Sequence, residues 1–152
     1  MTIFLGADHR GFELKEKMKE WLKDHGYTVE DFGAQKLEPE DDYPDFAIAV
    51  AEKVAENPEE HRGILLCGSG HGMDIAANKI KGIRATVVMS AEFAKRAREH
   101  NNVNIISLAA DWTSPSDAAE IVRTFLETPF SGEERHVRRL RKIGNIENST
   151  RY

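Results

Sequence analysis

Residues 63–80 read GILLCGSGHGMDIAANKI, an apolar run joined to a helical pattern through a loop with three alternating glycines. The run from Gly63 to Cys67 predicts a buried strand, and the residues after the loop predict a helix that starts near Gly72 and runs to Ile80. Gly68, Gly70 and Gly72 free the backbone for positive φ, so several N–H groups can converge on one anion. The start of the helix adds its own positive end. Cys67 closes the strand and stands against this nest, where a thiol is expected to ionise more readily than a free one. The plainer reading, a buried core cysteine before an ordinary turn, stays open on that residue alone.

Strands and helices alternate on both sides of this stretch. Upstream, Thr2 to Ala7 predicts a strand, and Phe12, Leu14, Met18, Trp21 and Leu22 give Gly11 to His25 a helical apolar face. Gly26 stops that helix, and Tyr27 to Phe32 alternates as an edge strand does. A polar, acidic loop runs from Gly33 to Pro44, and a helix follows from about Asp45 to Glu56. Downstream, Ile83 to Met89 predicts a fourth strand and Ser90 caps a helix to about Glu99. Asn104 to Ala109 is the fifth strand. Thr113 or Ser114 with Pro115 opens a helix to Leu126, and a basic helix spans about Glu133 to Ile146.

This alternation predicts an α/β fold: a doubly wound five-stranded parallel sheet, a Rossmann-like or flavodoxin-like three-layer sandwich, in one domain over residues 1–152. With the strand order 2-1-3-4-5, the order reverses between the first and third strands, and ligands bind there at the strands' carboxyl ends. The loops at that point are Asp8-His9-Arg10-Gly11 and Cys67 to Gly72.

Composition narrows the function classes. Lys and Arg number 21 against 26 Asp and Glu, a net charge of −5, so a broad basic footprint for nucleic acid is missing. One cysteine excludes an internal disulfide. TIFLGADHR turns charged too soon for a signal peptide, and no run is long enough to span a membrane. A reducing, cytoplasmic setting is therefore expected, with a thiol free to act as base or nucleophile. Cysteine and histidine spacing predicts no metal site.

Several polar residues carry two readings. Asp8 and His9 follow a strand at the switch point, suiting sugar hydroxyls and phosphate, or they are a helix cap beside a surface histidine. His100-Asn101-Asn102-Val103-Asn104 is a functional loop or a helix terminator. Arg135 and Arg139 lie four apart on one helical face, suiting a phosphate held by two guanidinium forks, or they belong to a solvated basic face. His71 and Asp74 flank the glycine loop as possible ligands or bases.

GADHRGF after the first strand, DYP at 42–44, CGSGHG with AANK at 76–79, GIRA at 82–85, HNNVN at 100–104 and RHVRR at 135–139 together resemble the ribose-5-phosphate isomerase type B family, which includes galactose-6-phosphate isomerase subunits. The resemblance covers nearly the whole chain, in order. It implies an aldose–ketose isomerase without cofactors, working through an enediolate, with Cys67 moving the proton and His100 opening the furanose ring. It also implies that Asp8, His9, Tyr43 and Asn101 contact the sugar phosphate and that Gly68, Ser69, Gly70, His71 and Gly72 line the enediolate, with Ser69 a catalytic candidate. Arg135 and Arg139 would take the phosphate. The expected assembly is a homodimer with shared sites, extending to a tetramer, and the expected partner is a small sugar phosphate rather than nucleic acid or membrane.

The chemistry of the residues agrees: isomerisation needs one base to move a proton between adjacent carbons, and donors for the oxyanion that forms. Part of the family carries glutamate where Met73 stands, so Cys67 marks this chain as similar to the cysteine type. Ser69 replaces a usual threonine, His71 a small apolar residue, and Glu133 and Glu134 a pair of glycines. The fifth strand leads into Ala109-Ala110-Asp111 instead of glycine, one residue and an arginine, placing a negative charge where the resemblance expects a phosphate-binding cation. An isomerase for another pentose or hexose, or a non-catalytic sugar-phosphate-binding subunit, are the alternatives; a flavodoxin-type nucleotide module is more distant.

Overall fold

A computed structural model describes residues 1–149. Five strands, β1 (Thr2–Ala7), β2 (Thr28–Asp31), β3 (Arg62–Cys67), β4 (Ala85–Val87) and β5 (Ile105–Ala109), form one sheet in the order β2-β1-β3-β5-β4. Every pairing is parallel. Six helices complete the described residues: α1 (Phe12–Asp24), α2 (Tyr43–Ala55), α3 (His71–Ala77), α4 (Ala91–Asn101), α5 (Pro115–Glu127) and α6 (Glu134–Glu147).

The three central strands are apolar on both faces, as strands covered by helices on each side must be. Ile3, Leu5, Ile64, Leu66, Ile106 and Leu108 pack with Leu14 and Met18 of α1, Ala94 of α4 and Ile121 and Phe125 of α5. The alternate residues Phe4, Leu65, Cys67 and Ile105 pack on the opposite face with Val50 and Val54 of α2 and Met73 and Ala77 of α3. Burial of these two faces is the main stabilisation of the domain-sized core. Among the described residues, no helix is long and apolar enough to cross a membrane.

The doubly wound parallel sheet stands as expected, and the order reverses between β1 and β3. At the other end the order differs from 2-1-3-4-5: β5 lies between β3 and β4. Burial explains the difference. All five residues of β5 are buried, whereas the three of β4 are only half-buried and suit an edge. β4 is shorter than the apolar run from Ile83 to Met89, since only three of its residues pair with β5. α3 stops three residues before Ile80, where the Asn78 side chain turns to bond Asp74 and Ala85. α2 begins at Tyr43, with Pro44 in its first turn where no N–H is needed.

Candidate active site

The loops after β1, β3 and β5 converge at the carboxyl edge of the sheet. The first is pressed directly onto the third strand: a Cβ on Gly11 would lie 2.1 Å from the Leu66 carbonyl oxygen, so only glycine fits. Asp8 is buried there, and its Oδ1 accepts from the N–H groups of Arg10 and Gly11, each at 3.0 Å. Burial raises its pKa, with the Gly11 N–H opposing. His9 meets Asp41 twice: Nδ1 lies 2.6 Å from Oδ1, and the backbone N–H donates to the same oxygen at 3.1 Å. The other oxygen of Asp41, Oδ2, is buried with no partner among the described residues.

Cys67 ends β3, buried at 5% exposure, and its Sγ accepts from the Gly70 N–H at 3.1 Å. Burial pushes the thiol pKa up; the Gly70 N–H pulls it down and the Asp8 carboxylate pushes it up again. The expectation of an easily ionised thiol is therefore overturned: the loop amides favour the thiolate, and desolvation outweighs them. Gly70 adopts φ +81°, the left-handed conformation that only glycine takes without cost, and its carbonyl accepts from Ser107 Oγ at 2.8 Å. Ser69 is half-buried and His71 exposed. A Cβ on Gly72 would lie 2.4 Å from the Tyr43 ring, so Tyr43 is seated on the loop. Asp74 turns away towards Asn78, whose Nδ2 bonds it at 2.7 Å.

The remaining candidates lie elsewhere. His100 and Asn101 end α4, ahead of β5 and thus at the amino edge of the sheet. They line an apolar groove of 680 Å³ with Val88 of the β4–α4 connection, Phe93 of α4 and Ile143 and Ile146 of α6. His100 stacks on the buried His136 at 4.5 Å, which fixes the start of α6 against α4. Arg135 and Arg139 are exposed on α6, and Arg135 is paired with Glu133 at 2.8 Å. One chain thus gathers Asp8, His9, Tyr43, Cys67 and the glycine loop, and holds His100, Asn101, Arg135 and Arg139 apart from them.

A family model described as ribose/galactose isomerase matches residues 3–143. The chain belongs to this ribose/galactose isomerase family. Curated members include the probable ribose-5-phosphate isomerase B of Mycoplasma genitalium, 43% identical over 98% of this chain and 97% of that one. Ribose-5-phosphate isomerase B of Mycobacterium tuberculosis is 42% identical over 97% of this chain and 90% of that one. Among solved structures, the Mycoplasma genitalium enzyme with bound ribulose 5-phosphate has a TM-score of 0.95 at 42% identity, covering 98% of this chain and 97% of that one. The Clostridium thermocellum ribose-5-phosphate isomerase B has a TM-score of 0.92 at 44% identity, covering 97% and 98%.

Within this ribose/galactose isomerase the site holds residues that sequence reasoning passed over. Asp41, 32 positions from His9, carried no signal beyond its place in an acidic loop. Ser107 is a polar residue within the apolar run of β5, and that interruption is the signal it offers. Arg10 is ion-paired to Asp111 directly over Gly68. Asp8, His9 and Asp41 also bring carboxylate and imidazole atoms within 4.8 Å of one another, as a metal site would. Asp8 Oδ1 accepts from backbone N–H groups and His9 pairs with Asp41 Oδ1, while Asp41 Oδ2 keeps no partner among the described residues.

Proposed function

We propose that the protein interconverts ribose 5-phosphate and ribulose 5-phosphate by proton transfer through an enediolate, without a cofactor. The observation that carries this reading is the Cys67 sulfur held at 3.1 Å from the Gly70 N–H, with the Ser69 and Met73 N–H groups also favouring its thiolate. In the open-chain aldose the Cys67 thiolate removes the proton on C2, and the electron pair moves onto the C1 carbonyl oxygen. The enediolate oxygens take up hydrogen bonds from the Gly68 to Gly72 segment and Ser69. The thiol then returns the proton to C1, the C2 hydroxyl proton passes to the C1 oxygen, and the C2 oxygen becomes the ketone. Donors fixed before the charge develops lower the barrier without reorganising during the reaction.

Asp8, His9, Tyr43 and His71 line the sugar's approach. His100 opens the furanose ring, with Asn101, Arg135 and Arg139 placed around the ligand, and these four come from a second copy of the chain. The distance between the two edges of the sheet supports such sharing, and the apolar groove beside His100 supports a homodimer with capacity for a tetramer. A reducing, cytoplasmic setting suits the free thiol.

Asp111 favours a second reading, an isomerase for a different pentose or hexose phosphate, because it sets a negative charge beside the loop. Incubating the protein with ribose 5-phosphate and following ribulose 5-phosphate tests the first reading. A panel of phosphorylated pentoses and hexoses separates the two. Ligand binding without turnover of any sugar would leave a non-catalytic subunit.

A further inference from the structure

Resting on the isomerase reading, we propose that Arg10 is the specificity-determining cation of this chain, binding the phosphoryl group of the sugar phosphate above Gly68. Its backbone is anchored, since its N–H donates to the buried Asp8 at 3.0 Å. Its side chain lies on the glycine loop: a Cβ on Gly68 would come within 2.8 Å of Arg10 Nε and 3.1 Å of Asp111 Oδ2. Asp111, from the loop after β5, takes one terminal nitrogen of the guanidinium. The other guanidinium N–H groups have no protein partner among the described residues, and a planar fork of such donors matches two oxygens of a phosphate.

The pair is exposed, 58% for Arg10 and 32% for Asp111, and exposed pairs contribute little to stability. It is therefore cheap to open or share when an anion arrives, while it keeps the cation over the loop beforehand. Arg135 and Arg139 sit on α6, away from Cys67, so Arg10 is the arginine already standing at the thiol's own edge of the sheet.

The test compares wild type with Arg10→Ala and Arg10→Lys. Loss of a charge-assisted hydrogen bond predicts that Arg10→Ala raises KM for ribose 5-phosphate about 10- to 100-fold, with kcat within a few-fold of wild type. The inhibition constant of inorganic phosphate should rise with KM, and Arg10→Lys should fall between the two proteins. Unchanged KM and unchanged phosphate inhibition in a folded Arg10→Ala protein overturn the proposal and leave the isomerase reading standing. If wild type does not turn over ribose 5-phosphate, that reading fails by itself. Titration with inorganic phosphate followed by ³¹P NMR then decides on Arg10: binding lost in Arg10→Ala supports it, and equal binding or none in both proteins overturns it.

Discussion

The Cys67 sulfur and the Gly70 N–H, 3.1 Å apart, tie the proposed base to the loop that would hold its product. Removing the thiol should leave that loop in place, because Ser107 holds the Gly70 carbonyl independently. Cys67→Ala is therefore expected to cut turnover about 10²–10⁴-fold with a melting temperature close to that of wild type. Near-normal turnover in the folded variant would assign the proton transfer to another group.

Burial places the Cys67 pKa above its ordinary value. The neutral thiol is then the form favoured by the fold, so its contribution to stability is full below the free-thiol pKa and fades as pH rises through the higher folded value. The rate of alkylation by iodoacetamide should climb with pH to a midpoint above about 8.5. A midpoint at or below that of free cysteine would mean that the loop amides prevail over desolvation.

Asp111→Arg replaces an anion with a second guanidinium beside Arg10. Inorganic phosphate should bind more tightly to this variant, and the gain should shrink as salt screens the exposed charges. Unchanged or weaker binding at low salt would place the phosphate away from the β5 loop.

Gly11→Ala puts a methyl group 2.1 Å from a backbone oxygen of β3, which cannot rotate aside. Overpacking against backbone predicts a loss of about 1–3 kcal/mol, read as a lower urea midpoint at unchanged slope. A midpoint equal to that of wild type would show that the β1 loop yields easily.

Sharing of sites between copies predicts complementation. Cys67→Ala and His100→Ala proteins, each inactive, are unfolded, mixed and refolded together. About half of the dimers are then mixed, each with one intact site, so roughly a quarter of wild-type activity should return. Mixed dimers without activity would put His100 in the site of its own chain.

The layers of the fold were legible because each strand is a short apolar run and each helix shows its own period. The order of β4 and β5 was not: both runs are apolar, and only packing reveals that β5 is covered on both faces while β4 is half open. Cys67 and the glycine loop were legible from one contiguous stretch. The direction of the thiol's pKa was not, since the glycines stand in the sequence, whereas the burial that raises it comes only when residues of β1 and α2 pack on the same face of the sheet. Asp111 stood out as a departure, yet its partner Arg10 lies 101 positions away and could be joined to it only by the fold.

The Ser107 hydroxyl bonded to the Gly70 carbonyl has a consequence for redesign. Because a strand residue bonds the loop at Gly70, residues 68–72 and Ser107 are one unit to be moved or kept together. Changing the sugar accepted would then be a matter of grafting the flanking segments around Arg10 and Asp111 onto that fixed unit, much as a tool head is exchanged on an unchanged grip.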